Sequence, residues 1–294
     1  MHYGPQYGYG YAFPHPPPPE HPERPDGVSG FPRWPAWYGP AAFGAGLVVA
    51  AIIATIAAAA SGGSGKLGTT AALVLTGVLD AIFVGIAILF ASMTERPRPA
   101  HFGLRRAPFW RTIGWSALGM ASFWIVSGTY SVLVKDHGKQ KVLEDLHARN
   151  SELTIVAVAV LVILVAPAAE EFFFRGFFYR ALRTRLGVLA AALVDGALFG
   201  GVHYEGPKSA LLLPVLAVLG FMFCLIYEKT GTLFATIGLH ALNNTIAYGV
   251  ATRDWVAAGS VGATMLAICT ITPVLLGAHS GARPGRAARA PARA

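Results

Sequence analysis

The sequence predicts an all-α fold, a polytopic transmembrane helix bundle of about eight transmembrane helices with disordered N- and C-terminal tails. Three observations carry this. Only 13% of the 294 residues are charged and 54% are hydrophobic, whereas a water-exposed globular surface needs about 25% charge. The mean hydropathy is +0.52. The apolar residues fall into successive runs of about 20, the length that crosses a hydrocarbon core of about 30 Å.

In chain order, residues 1–40 hold 11 of the 20 prolines and five of the ten tyrosines, including the run Pro16-Pro17-Pro18-Pro19. Such a stretch cannot propagate a helix and has few aliphatic groups to bury, so it reads as a disordered, partly polyproline II tail. It lacks the basic start and apolar core of a signal peptide, which makes the first apolar run an uncleaved anchor. The transmembrane domain follows over 41–280, with helices expected near 42–60, 68–93, 110–134, 153–182, 187–205, 209–228, 232–251 and 256–278. The loop from Lys135 to Glu152 mixes both charge signs and reads as a solvated amphipathic segment. Residues 281–294 form an Arg-rich tail with no acid, expected to be cytoplasmic.

The net charge of +8 comes from 23 Lys and Arg against 15 Asp and Glu. These basic residues lie between apolar runs, where topology determinants belong. A nucleic-acid reader would gather them on one soluble face, so no nucleic-acid partner is expected. With both termini inside, the inside segments collect 16 of the 23 Lys and Arg. The positive-inside rule therefore places both termini in the cytoplasm of a multi-pass cell-membrane protein. Cys224 and Cys269 lie inside apolar runs and act as small hydrophobes. No inverted repeat of the transporter kind is evident.

Polar groups inside apolar spans are costly and are usually retained for a task. Three clusters stand out. The first is Glu170-Glu171-x-x-x-Arg175, in which Glu171 and Arg175 share a helix face at i,i+4 and can pair. Glu170 points about 100° away, so the two carboxylates can take different roles. The second is Phe199-x-x-x-His203, and the third is His240-x-x-x-Asn244, each with one-face spacing. Counting about 1.5 Å per residue from the inner turns brings all three to similar depths, so they can line one cavity. Asp80 and Asp195 also lie in apolar runs and read as polar helix-packing contacts or cavity lining. Glu228, Lys229, Arg253 and Asp254 fall at span ends and read as interfacial. Gly196, Gly200 and Gly201 give a small-residue face for close helix approach.

Taken together, these motifs resemble those of the CPBP intramembrane proteases, the CAAX protease and bacteriocin-processing (ABI) family, which includes the type II CAAX prenyl endopeptidases. The resemblance covers about residues 155–250 and is strengthened by the Phe-Arg-Gly after the acidic pair and by Leu-His-Ala-Leu-Asn-Asn in the third cluster. It implies an intramembrane endopeptidase acting on a membrane-associated peptide or protein, with prenylated CAAX-type substrates among the candidates. By that resemblance Glu170 and His203 activate a water, His240 and Asn244 donate hydrogen bonds to the oxyanion, and Glu171 with Arg175 orients the site. Phe199 packs beside His203.

Two forms of the chemistry stay open. One needs no metal. In the other, His203, His240 and Glu170 hold a divalent metal such as zinc, leaving one position for water. No His-Glu-x-x-His element is present, and an Asn four residues after a His serves better as an amide donor. Beyond the protease, a non-catalytic membrane protein of the same fold, either a bacteriocin self-immunity factor or a scaffold, keeps the cluster for structure. A proton-coupled transporter uses it as a relay.

Overall fold

The computed structural model describes residues 34–60, 68–134 and 152–279. The expected tails, apart from residues 34–40, and nearly all of the 135–152 loop lie outside the described residues. Among the described residues eight helices follow one another: α1 (Tyr38–Ala60), α2 (Thr69–Ser92), α3 (Phe109–Leu133), a composite α4, α5 (Val188–Gly201), α6 (Leu213–Thr230), α7 (Leu233–Thr252) and α8 (Trp255–His279). In α4, the α-helical stretches Glu152–Val160, Ala166–Glu171 and Arg180–Leu182 alternate with π-helical stretches Leu161–Val165 and Phe172–Tyr179. A short 3₁₀ turn, Pro99–Phe102, lies between α2 and α3.

Among the described residues six helices, α1, α2, α3, α4, α6 and α8, are long and apolar enough to cross a membrane. The expectation of about eight spans is thus met in helices but not in spans. With 14 residues, α5 reaches only about 21 Å. His240, Asn243 and Asn244 lower the hydropathy of α7, which does not qualify either. The exposed apolar side chains fit a lipid-facing belt, with Val48, Ile56, Leu89, Ile125, Val132 and Val256 all outward.

Helix boundaries have local causes. Gly231 closes α6 in the left-handed region at φ 69°, and the next residue, Thr232, accepts a hydrogen bond from the Phe234 amide to start α7. Asp254 Oδ1 accepts from the Ala257 amide at 2.9 Å and caps α8. Packing begins earlier than 42, since α1 starts at Tyr38 and Trp34 is buried against Phe102 and Phe177.

Helix α4 is the centre, touching α1, α2, α5, α6, α7 and α8. Its Phe173, Phe174, Phe177 and Phe178 are all buried and form an aromatic core with Phe43, Phe83 and Phe199. Helices α5 and α6 pack closely through glycines. A Cβ on Gly196 would stand 2.6 Å from the Ala217 carbonyl oxygen, and one on Gly200 2.7 Å from that of Leu213. Gly201, expected on the same face, meets nothing within 4 Å.

The segment after α2 ties the end of α4 to the turn between α6 and α7. Arg105 Nε donates to the Gly231 carbonyl at 2.5 Å, the Leu233 amide to that of Gly103 at 2.9 Å, and Thr232 Oγ1 to that of Arg105 at 2.8 Å. Arg180 donates to the His101 carbonyl and to the Tyr227 hydroxyl. Gly103 has φ 91°, and a Cβ there would run into the Tyr227 ring. Glu228, expected at an interface, accepts from Tyr179 and Arg183 at 2.8 and 2.9 Å.

Candidate active site

Glu170 and Glu171 lie in the α-helical stretch between the two π segments of α4. Their side chains diverge, as the 100° offset requires. Glu171 is fully buried, whereas 23% of the Glu170 side chain is exposed, so only Glu170 can meet an incoming chain.

Glu171 organises a buried ionic network. Its Oε1 accepts from Arg175 Nη1 at 2.8 Å and from His240 Nδ1 at 3.0 Å. The guanidinium also donates through Nη2 to the Gly220 carbonyl at 3.0 Å, and its Nε is 3.5 Å from Asp195 Oδ1. The guanidinium carbon lies 4.4 Å from the centre of the Phe199 ring. Two carboxylates, one carbonyl and an aromatic face thus surround a cation that would otherwise be costly to bury. Cys224 Sγ donates to Asp195 Oδ1 at 3.1 Å.

Asp195, read from the sequence as a polar helix-packing contact or cavity lining, packs against Arg175, and it stands on the Phe199 face of α5 by its four-residue spacing.

His203 lies beyond the end of α5, not on it. The helix stops at Gly201, and the His203 amide bonds the Gly200 carbonyl at 3.1 Å. Its Nδ1–H donates to the Phe199 carbonyl at 2.7 Å, since a carbonyl can only accept. With Nδ1 so engaged, Nε2 turns outward. His240 is arranged alike, with Nδ1–H on Glu171. Both Nε2 atoms face Glu170 Oε2, each at 3.9 Å. Each 3.9 Å gap is too long for a direct hydrogen bond and of a length that one bridging water can span. Phe199 stacks at 5.0 Å from His203 and 5.6 Å from His240, holding both rings.

Asn244 sits one turn beyond His240, and its Nδ2 donates to the Val162 carbonyl at 2.9 Å. The cause is local. In the first π segment the Ala166 amide bonds Leu161, five residues back. The next donor in that register, for Val162, would be residue 167, which is proline and has no N–H. Asn244 supplies the missing donor, and its second amide hydrogen stays available. Asn243 Nδ2 donates to Asn244 Oδ1 at 3.4 Å and steadies the group.

The histidines have a feature of metal ligands, with Nδ1 tied to an acceptor and Nε2 presented. The spacing does not fit a metal. Among the described residues no three His, Cys, Asp or Glu side chains are grouped to hold one. Tetrahedral zinc with ligands at about 2.0–2.1 Å needs donor atoms about 3.3 Å apart, against 3.9 Å from Glu170 Oε2 to either ring.

Comparison with known proteins falls on the same region. Residues 152–246 match the family model described as type II CAAX prenyl endopeptidase Rce1-like. The chain is 34% identical over 95 residues to "Uncharacterized protein YyaK" of Bacillus subtilis (strain 168), covering 31% of this chain and 32% of that protein. It is 28% identical over 140 residues to "Putative membrane peptidase YdiL" of the same organism, covering 44% of this chain and 56% of that protein. The chain thus spans about a third to just over half of the length of the curated relatives it matches. No solved structure matches. The resemblance read from the motifs is borne out, and these similarities support a multi-pass membrane protein of the protease kind.

Proposed function

We propose that this protein is an intramembrane endopeptidase of the CPBP kind, hydrolysing a peptide bond of a membrane-associated substrate without a metal. The observation that carries the reading is the position of Glu170 Oε2, 3.9 Å from the Nε2 atoms of both His203 and His240. Glu170 takes a proton from a water that His203 helps to orient, and the water oxygen adds to the carbonyl carbon of the scissile bond. The tetrahedral oxyanion is met by the second amide hydrogen of Asn244 and by His240 Nε2–H, with Glu171 as counter-charge to the doubly protonated ring. The proton held by Glu170 passes to the leaving amine, and the carboxylate is restored. Arg175 and Asp195 keep Glu171, and through it His240, in place. The family description makes prenylated CAAX-type proteins the first substrate class to try. The basic-residue distribution supports a place in the cell membrane with both termini cytoplasmic.

The test is purified protein with a panel of membrane peptides, prenylated and not, comparing wild type with Glu170→Gln and His203→Ala. Cleavage by wild type should fall 10²-fold or more in Glu170→Gln, while the fold persists because Glu170 Oε2 has no protein hydrogen bond to lose. Equal cleavage by both would remove Glu170 from the role of base. Dialysis against a strong chelator should leave the rate unchanged. Loss with zinc-specific rescue would sink the metal-free chemistry.

A further inference from the structure

A cavity of about 190 Å³ lies between α1, α2 and α4, and its walls hold two carboxyl groups, Glu170 of α4 and Asp80 of α2. Phe43, Phe83, Phe173 and Phe174 supply most of the rest. Glu170 Oε2 and Asp80 Oδ2 are both buried, and neither has a protein hydrogen-bond partner. The two groups lie near enough to repel each other when both are ionised. Among the described residues no Lys, Arg or His lines the cavity. Helix α1 carries no Asp, Glu, Lys, Arg or His, and on α4 Arg175 and Glu171 are engaged with each other, with Asp195 and with His240. Two carboxyls that share an apolar site with no cation cannot both ionise, so one keeps a proton. Glu170 faces His203 and His240 on its other side, each at 3.9 Å, and these rings support its charge. No such group of the cavity wall supports Asp80.

We propose that Asp80 is the proton-bearing partner of Glu170 and a positioning residue for the reaction: its O–H donates to a water in this cavity, and that water donates to the Glu170 carboxylate. The walls suit such a water. Thr76 stands one turn before Asp80 on the same face of α2 and also lines the cavity. Its Oγ1 donates to the Ala72 carbonyl at 3.1 Å, and a hydroxyl oxygen that donates can still accept. The water therefore accepts from Asp80 and donates to Glu170 and Thr76, which is about the number of bonds a buried water makes. The cavity exceeds the share of about 30 Å³ that one water occupies in the liquid, so there is room for it. An uncharged acid also suits a membrane-spanning helix, where a lone carboxylate is costly. Held by a water on one side and facing two rings on the other, the Glu170 carboxylate keeps one orientation, with Oε2 toward the histidine gap. The pair asks nothing of the substrate's charge, so it serves prenylated and other membrane peptides alike. The positioning role rests on the proposed endopeptidase reading, whereas the protonated state of Asp80 and the water link do not.

The experiment has a spectroscopic arm and a cleavage arm, both on the full chain in detergent at neutral pH. The infrared difference spectrum of wild type against Asp80→Asn should contain the C=O band of a protonated carboxyl, shifted by deuterated water. The same difference taken in a Glu170→Gln background should show that band moved, because the linking water has lost its charged acceptor. Absence of the band, or a band that Glu170→Gln leaves unmoved, overturns the inference. In the cleavage arm, Asp80→Leu keeps the branching and removes the donor. It should lower kcat about tenfold or more with KM nearly unchanged, because Asp80 acts on Glu170 and not on the substrate. Asp80→Asn keeps a neutral donor and should recover most of that loss. Thermal unfolding separates this from a structural role, since an apolar side chain in an apolar wall should leave the melting temperature equal or higher while kcat falls. Full activity in Asp80→Leu, an Asn variant as slow as the Leu variant, or activity lost together with a lower melting temperature also overturns the inference. The band and its response to Glu170→Gln, found in a wild-type protein that cleaves nothing, uphold the acid pair and refute the endopeptidase.

Discussion

Oε1 of Glu171 lies 3.0 Å from Nδ1 of His240, a residue 69 positions away, and the same oxygen receives Arg175 at 2.8 Å. One carboxylate oxygen thus couples the central helix to the histidine of α7. Glu171→Gln keeps an acceptor for Arg175 but loses the charge that supports His240. It should fold, cleave at least tenfold more slowly, and show a displaced pH–rate profile. Glu171→Ala should cost stability as well, about 3 kcal/mol, because a fully buried guanidinium loses a partner. A Glu171→Gln enzyme with an unchanged pH profile would show that the carboxylate only packs.

Asn244 and Pro167 should be coupled. Asn244→Ala leaves the Val162 carbonyl without a donor and should lower stability by about 1–3 kcal/mol. Pro167→Ala restores a backbone N–H in the register that serves Val162. In a double-mutant cycle read by thermal unfolding in detergent, Pro167→Ala should recover part of the loss caused by Asn244→Ala. Strict additivity would refute the link.

The α5–α6 contact should distinguish glycines that look alike in sequence. Gly196→Ala puts a methyl 2.6 Å from the Ala217 carbonyl oxygen and 2.7 Å from the Phe221 amide nitrogen, both rigid backbone, and should cost about 1–3 kcal/mol. Gly201→Ala meets open space and should be neutral or slightly stabilising. Melting temperatures of the two variants decide it, and equal effects would contradict the packing.

Burial lowers the pKa of His101, with Arg180 and Arg98 adding to the fall and Glu95 opposing it. His101 Nδ1 accepts from the Arg98 amide at 3.2 Å, which also requires a neutral ring. A histidine whose folded pKa is depressed contributes stability above its ordinary value near 6.5 and loses it as pH falls through that value. Thermal stability should therefore decline between about pH 7 and 5, and His101→Gln should flatten that slope. A slope unchanged in the variant would clear His101 of the effect.

Much of this arrangement is legible in the sequence, because hydropathy alone separates the helices and the i,i+4 spacings point to the Glu171–Arg175 pair and the Phe199–His203 contact. The rest depends on partners distant in the chain. That Asp195 meets Arg175 follows from glycine contacts between α5 and α6, whose closeness no single helix reveals. The engagement of Asn244 by Val162 depends on a π register, and five-residue hydrogen bonding leaves little trace in a run of Leu, Val and Ile. Helix α5 ends at Gly201, short of the expected 205, where the pair Gly200-Gly201 precedes the polar run His203-Tyr204-Glu205.

The glycine seam has a mechanical consequence. With Gly196, Gly200 and Gly220 bringing backbones together, and Arg175 hydrogen-bonded to the carbonyl of Gly220 itself, α4, α5 and α6 cannot part without breaking the machinery they hold.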